Sequence, residues 1–347
     1  MFAAALTPAL LAPAPAGAES GDSTAVERDA ASEMPAAPVP RMKRRRMRYH
    51  GPETVRARQK DTPLHGAAAA NDLEGARALI EDGADPDATG VGLATPLHRA
   101  ARAGHVPMIV LLLEEGASVD AQDDQGQTPL HAAVLANERG AVRALLEGDA
   151  DPEVENEKSL TPLHIATRNV LAPIALDLIV AGADVNAEGD KQWRPLQFAA
   201  RGGSVEIATA LLDAGADVDA QRSNGWSALH YAAAGRHYDV ALLLMRRGAD
   251  VNARATSGMT PLHVTAQEDA ARIAALFLLN GADPDIQAGP GVTALHITAV
   301  RNRPRVSKVL VEHGADPDIE NQEGLTAVAI ARKRRHAAVL EAIETHR

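Results

Sequence analysis

The 347-residue chain contains no cysteine. Disulfides, thiolate metal sites and cysteine nucleophiles are therefore excluded, and the absence fits either a cytosol or a periplasm. Aromatic residues make up only 2 %, although apolar residues as a whole reach 46 %. A large core with so few rings must be built from Ala, Leu, Val and Ile, small side chains that let helices approach closely. No run is long and apolar enough to span a membrane as a helix. Catalytic signatures are missing too: there is no G-x-S-x-G, no phosphate-cradling glycine loop with lysine and no H-E-x-x-H. The sequence therefore assigns no catalytic residue, no metal ligand and no cofactor. Arginine outnumbers lysine and alanine is abundant, usage that points to a GC-rich, bacterial gene.

Positive charge is scarce over most of the chain. Residues 1–60 hold ten Lys+Arg against six Asp+Glu, a balance of +4, while residues 61–347 hold 25 against 40, a balance of −15; the two sum to −11. A fold of the second part should be soluble and repelled by nucleic-acid phosphates. Residues 1–18 are made mostly of Ala, Pro and Leu, and Ala16-Gly17-Ala18 suits a small-residue cleavage site, but no Lys or Arg precedes Arg28. They read as a signal peptide or as an apolar tail. Export to a periplasm or beyond follows from the first reading, a cytoplasmic place from the second. Residues 19–56 read as a disordered basic linker. Within it Arg41, Lys43, Arg44, Arg45, Arg46 and Arg48 form a dense run, either a solvated tether or a contact for a nuclear address, an anionic lipid or an acidic partner.

From Thr62 the order changes. The string Thr-Pro-Leu-His begins at Thr62, Thr95, Thr128, Thr161 and Thr260, and degenerate copies begin at Arg194, Ser227, Thr293 and Thr326; successive starts differ by 33 residues throughout. Self-similarity at that period means an array of one supersecondary unit. In the unit at Thr95, the threonine suits a helix N-cap and Pro96 the first helical position, where its missing N–H is harmless. Leu97, Ala100 and Ala101 share a face, and Gly104-His105 stops this first helix. A second helix is expected through residues 106–115, burying Met108, Ile109, Leu111 and Leu112, with Gly116 at its end where positive φ is wanted. A turn-rich stretch then leads to the next threonine. One such unit cannot bury both helices, so neighbours must stack.

These residues resemble the ankyrin repeat family, on the 33-residue period, the TPLH-x-A-A string and the closing Gly-Ala-Asp at Gly83, Gly182, Gly215, Gly248, Gly281 and Gly314. The resemblance implies an all-α helix-turn-helix solenoid with β-turn tips, curved into a rod, over residues 57–347. Eight full repeats are expected to start near 57, 90, 123, 156, 189, 222, 255 and 288, with a C-terminal capping repeat at 321–347. It also implies a non-enzymatic, monomeric protein that binds a protein partner, whose identity fold alone does not fix. The departures are Asp149 in a glycine register, Arg194 and Gln197 where Thr and His are expected, and Val170-Leu171 where Gly-His is usual. The exchange at Arg194 and Gln197 is expected to weaken the loop network of the fifth repeat.

His65, His98, His131, His164, His230, His263 and His296 are the motif histidines. Neighbours would lie about 8–10 Å apart, one repeat between them, too far for ligands that each sit about 2 Å from one zinc; they are read as loop braces. The paired aspartates such as Asp85/Asp87 and Asp217/Asp219 lack a calcium loop's glycine turn and bidentate Glu, and are read as holding turn amides.

The informative residues vary while the frame stays fixed. The resemblance implies that turn tips and inner helices hold the partner. The tip column, just before each motif threonine, reads Ala94, Gln127, Leu160, Trp193, Trp226, Met259, Val292 and Leu325, so both tryptophans of the chain fall in consecutive repeats. Exposed Trp is a favoured binding anchor; the alternative is that each ring folds down onto its own repeat or the next. The inner-helix column, seven residues after the threonine, includes Arg102, Leu135, Arg168 and Arg201. Its arginines either grip a partner's carboxylates or pair with turn acids such as Glu155 and Glu188. The expected partner-binding set is Trp193, Trp226, Met259, Arg168, Arg201, Arg102 and Leu160. The rival readings are a protective periplasmic protein without one tight partner, and nucleic-acid or membrane association through residues 41–48. As a test of the stacked core, Leu130→Ala should cost about 2–5 kcal/mol in chemical denaturation; a loss well under 1 kcal/mol would count against it.

Overall fold

The computed structural model describes residues 60–346. The expectations for residues 1–18, for the linker and for the basic run at 41–48 lie outside them. The described residues belong to a unit spanning Gly51–Arg347. They form eighteen α-helices in nine pairs. The first helix of each pair is α1 (Pro63–Ala70), α3 (Pro96–Ala103), α5 (Pro129–Leu135), α7 (Pro162–Arg168), α9 (Pro195–Gly202), α11 (Ala228–Ala234), α13 (Pro261–Glu268), α15 (Ala294–Arg301) and α17 (Ala327–Arg334). The second is α2 (Leu73–Glu81), α4 (Val106–Glu114), α6 (Arg139–Glu147), α8 (Ala172–Val180), α10 (Val205–Asp213), α12 (Tyr238–Arg246), α14 (Ala271–Leu279), α16 (Pro304–Glu312) and α18 (Ala337–His346). Each first helix packs on the next first helix and each second helix on the next second helix, so the pairs stack as two layers. The tips contribute only isolated bridges, Ala288 with Val292 and Glu320 with Thr326. The unit is all-α.

Local chemistry explains each element. Thr62, Thr95, Thr128, Thr161, Thr260 and Thr293 sit in extended backbone ahead of a helix, and five of them precede a proline at the first helical position. Between the layers lie the motif leucines and the apolar stripe of the second helices: Leu97, Leu130, Leu163 and Leu229 are fully buried, as are Ile109, Leu145, Leu211 and Leu244. Alanines such as Ala100, Ala133, Ala166 and Ala199 are fully buried beside them, the small side chains that close helix approach requires.

Three turns per repeat take left-handed backbone, one of them at the tip, where Gly126, Ser159, Gly225, Gly258, Gly291 and Gly324 have positive φ. After the second helix, Gly83, Gly116, Gly182 and Gly215 have φ between +86° and +90°, and Asp149 takes the same role at +62°. Between the helices the same region is occupied by Asn71, Gly104, Asn137, Val170, Gly203, Arg236, Asp269, Asn302 and Arg335. Gly, Asn and Asp tolerate that region; a β-branched residue there is an outlier. Val170, at φ +57°, is the one β-branched member of the column, and its side chain is 43 % exposed, so little packing holds it in place. Val170→Asn should therefore raise stability by about 1 kcal/mol, read as a higher denaturation midpoint; an unchanged or lower midpoint would contradict the strain.

Candidate partner-binding face

The tips are positioned by the motif histidines. In the repeat at Thr128 the Thr128 N–H donates to His131 Nδ1 at 3.2 Å, and the Thr128 hydroxyl lies 2.9 Å from the same nitrogen. Nδ1 is thus an acceptor and the proton sits on Nε2, which donates to the Leu160 carbonyl at 3.0 Å. The same bond runs from His65 to Ala94, His98 to Gln127, His164 to Trp193, His230 to Met259, His263 to Val292 and His296 to Leu325, at 2.9–3.1 Å. Every acceptor belongs to the tip column. Each motif histidine therefore fixes the backbone of a tip residue in the following repeat, and that sets where its side chain can go.

In the fifth repeat Gln197 stands in. Its Oε1 accepts from the Arg194 N–H at 3.2 Å and its Nε2 donates to the Ala220 carbonyl at 2.8 Å. The expected weakening of this loop is only partial: the bracing survives, because an amide offers an acceptor and a donor at the same reach, but it lands on Ala220 and leaves the Trp226 carbonyl without a donor from Gln197. Arg194 itself turns to Glu188 at 2.7 Å.

A second ladder runs along the outgoing turns. Asp85, Asp217 and Asp283 each accept from the amide two residues on. The partner acid then accepts from the next repeat: Asp87 from Ser118, Asp120 from Asp151, Glu153 from Asp184, Asp219 from Asp250 and Asp285 from Asp316, at 2.8–3.0 Å. Asn186 and Asn252 do the same without a charge. The carboxylates are thus spent on backbone amides. Among the described residues no three His, Asp or Glu gather to hold a metal ion.

The inner-helix and tip surface carries the unusual chemistry. Trp193 lies flat on Phe198, with centroids 4.4 Å apart and planes at 12°, and touches Tyr231 at 4.7 Å. Trp226 leans on Tyr231 at 5.1 Å. The Arg222 guanidinium covers Trp193 at 4.0 Å from the ring centre and donates to the Tyr231 hydroxyl at 2.7 Å; Arg201 approaches the same ring at 5.7 Å. Both tryptophans are half-buried: each ring folds onto the inner helices and keeps part of its surface open. Met259 is half-buried one repeat on, its sulfur 3.8 Å from Gln267 Nε2.

Arg102, Arg168 and Arg201 are exposed, and among the described residues none of the three forms an ion pair; Glu188 is engaged by Arg194 instead. Leu160 needs correction as an anchor. It is only 5 % exposed, its side chain lying close beside Gly189, so it contributes to the lining of a concavity and is not a projecting anchor. The sequence reading also passed over Phe198, Tyr231 and Arg222. The first two share one column, four residues after the motif position, where other repeats carry Ala132, Ile165 and Val264. That two of the chain's few rings fall there, in the same consecutive repeats as the tryptophans, was the available signal.

Five backbone bonds join neighbouring tips: Asp124 to Gly92, Glu157 to Gln125, Thr256 to Asn224, Gly289 to Ser257 and Gln322 to Pro290, at 2.8–3.0 Å. Among the described residues none joins the tip at residues 189–193 to either neighbour. It is tied instead by a side chain, Arg222 Nε donating to the Lys191 carbonyl at 3.3 Å.

Stacked helix pairs whose turns are braced by the neighbouring pair define a tandem-repeat scaffold. Ankyrin-repeat family models match residues 64–156, 97–188, 163–255, 224–288 and 262–344, and the chain belongs to the ankyrin repeat family. The crystal structure of the human ASB11 ankyrin repeat domain is similar, with a TM-score of 0.57 and 29 % identity, covering 65 % of this chain and 100 % of that one. No curated protein matches. Ankyrin repeats are generally protein–protein interaction modules, typically without catalytic activity. Among the described residues, no helix is long and apolar enough to cross a membrane.

Burial pushes the imidazoles of His131, His230 and His263 down to about 4 and lowers those of His98, His164 and His296. In the unfolded chain these rings take up protons near pH 6.5; in the fold they do so only at lower pH. Their stabilisation is therefore complete above pH 6.5 and is lost as pH falls, down to about 4 for His131, His230 and His263. The slope is up to about 1.4 kcal/mol per pH unit for each such histidine. Burial raises Asp120, Glu153 and Asp285, an opposite but lower-lying dependence. Urea midpoints should drop between pH 7 and 5, and His131→Gln, the exchange nature made at Gln197, should flatten that drop. A midpoint independent of pH in this window would refute the neutral-brace assignment.

Proposed function

We propose that this chain is a non-enzymatic adaptor, scaffold or sequestering protein that holds a partner protein on its inner-helix and tip face, centred on repeats four to seven. Trp193, Trp226 and Met259 supply the apolar anchors, and Arg168 and Arg201 the charged contacts. The observation that carries this reading is the ring cluster of Trp193, Phe198, Tyr231 and Trp226. These are four of the chain's eight aromatic residues, gathered on one face of two repeats. Phe198 and Tyr231 are buried beneath the tips, in a column where Ala132, Ile165 and Val264 suffice elsewhere, and they form the floor on which Trp193 and Trp226 stand half-open. Half-open tryptophans held rigid by stacking lose little conformational freedom on binding, which is the property of a hot spot. The guanidinium of Arg222 over Trp193 places a positive charge against the apolar cluster.

The test compares the wild type with a Trp193→Ala/Trp226→Ala double variant against a partner captured and identified with the wild type. Loss of an anchor should weaken binding by at least about 2 kcal/mol, close to thirtyfold, while the thermal transition shows the variant still folded. Unchanged affinity of the folded variant would remove these residues from the site.

A further inference from the structure

On the same inner face, toward the N-terminus from the ring cluster, two concavities adjoin. One of about 450 Å³ is lined by Arg99, Arg102 and Leu135 among others. The next, of about 270 Å³, is lined by Leu135, Ile165 and Arg168. Gln125, Gln127 and Leu135 border both, so they form one groove between the tips and the inner helices. Its floor is apolar at the middle, where Leu135 is 43 % exposed. Its helix wall is basic: Arg102 and Arg168 stand in the last turns of α3 and α7, and Arg201, in the last turn of α9, continues the column beside Trp193.

Carboxylates outnumber cations 40 to 25 over residues 61–347, and Arg99, Arg139, Arg194 and Arg247 have all found one. Among the described residues Arg102, Arg168 and Arg201 form no such pair, which leaves the guanidiniums of Arg102 and Arg168 on the groove wall, and of Arg201 one repeat further along the same column, without a carboxylate partner. The tip wall opposite carries Asp124 and Glu157. A uniform polyanion such as a nucleic acid would be repelled there. A protein segment whose carboxylates all face the helix wall would not.

We propose that this groove receives an extended acidic segment of the partner protein, its carboxylates held by Arg201, Arg168 and Arg102 and an apolar side chain set over Leu135. The proposal rests on the inner face being the binding face. Packed helices lie about 8–10 Å apart and a chain in the extended polyproline II conformation advances about 3.1 Å per residue with three residues per turn, so one repeat corresponds to about three residues and every third side chain faces the same wall. Counting from Arg201, the register is acid, two residues, acid, two residues, apolar, two residues, acid. Guanidinium forks bind such carboxylates in two parallel hydrogen bonds.

The experiment uses the full chain and a labelled synthetic peptide of twelve residues. Glutamates occupy its first, fourth and tenth positions, leucine its seventh, and the rest are Gly, Ser and Ala. Fluorescence anisotropy should report saturable binding, weakened about tenfold or more by Arg102→Glu/Arg168→Glu/Arg201→Glu, a variant of exposed positions whose melting should be unchanged. Lysine in place of the glutamates should abolish binding, and crowding the three glutamates together should weaken it. Leu135→Ser should weaken it with the charges intact. The proposal is overturned if the peptide does not bind, if the crowded peptide or a thymidine oligonucleotide binds as well, or if the triple variant binds like the wild type. Its failure is separable from that of the function proposed above: a natural partner lost by the tryptophan double variant but kept by the arginine triple variant sinks the acidic segment and leaves the aromatic anchors standing.

Discussion

Seven tips of this chain present a backbone carbonyl to an imidazole of the preceding repeat. That bond, from His131 to Leu160 or from His164 to Trp193, is the constraint on which the rest depends. The same carbonyl also accepts an amide of its own tip, as Leu160 does from Asn156 and Trp193 from Gly189, so the imidazole fills the second acceptor site of each carbonyl and ties the tip to its neighbour. The acid ladder repeats the logic at the outgoing turn, where Asp219 receives the amide of Asp250. Three further histidines reach backward: His105 donates to Ala69, His237 to Arg201, and His336 Nδ1 lies 2.8 Å from the Ala299 carbonyl. At the tips and outgoing turns, polar groups are satisfied across repeats as well as within them. That is why a helix pair too small to bury its own faces becomes a cooperative array when multiplied.

The same bond gives the binding face its precision. Trp193 and Met259 belong to the column whose carbonyls accept from histidine, so their side chains start from a fixed backbone, while the Trp226 carbonyl accepts only from the Arg222 amide of its own tip. Trp193 is fixed three times over, by His164 at its carbonyl, by Phe198 under its ring and by Arg222 above it. A side chain prepared in this way has little rotamer freedom left to lose when a partner arrives.

The frame was legible in the sequence because it repeats: Thr128, Pro129, Leu130 and His131 recur with period 33, and each recurrence has a local physical reason. The turn requirements were half legible. Asp149 could be placed in a left-handed turn from its register, but the strain at Val170 shows only against the other members of its column. The rings were harder. Trp193 and Trp226 stood out in the tip column, yet their contacts with Phe198 and Tyr231 cross between a tip and an inner helix. Columns read one at a time do not show that two of them meet in space. Leu160 failed for the same reason: it shares a register with the tryptophans, but its shorter side chain lies close beside Gly189 and is covered.

Departures from the repeat concentrate around one tip. The fifth repeat lacks the motif threonine and histidine, and its tip, among the described residues, has no backbone bond to either neighbour. The side-chain version of that tie fails at the same place. Gln122, Gln221, Arg254 and Gln287 each donate to the carbonyl 33 residues ahead, whereas the corresponding Glu155 and Glu188 are carboxylates with no N–H to give. Stabilising contacts have thus been withdrawn on both sides of Trp193, and what replaces them is aromatic stacking and the reach of Arg222. Sequences that otherwise agree at every level break their own rules where a surface is kept for another purpose. The broken rules and the gathered rings coincide at residues 189–231, and it is that coincidence, more than the exposure of either tryptophan, that supports placing the proposed binding face there.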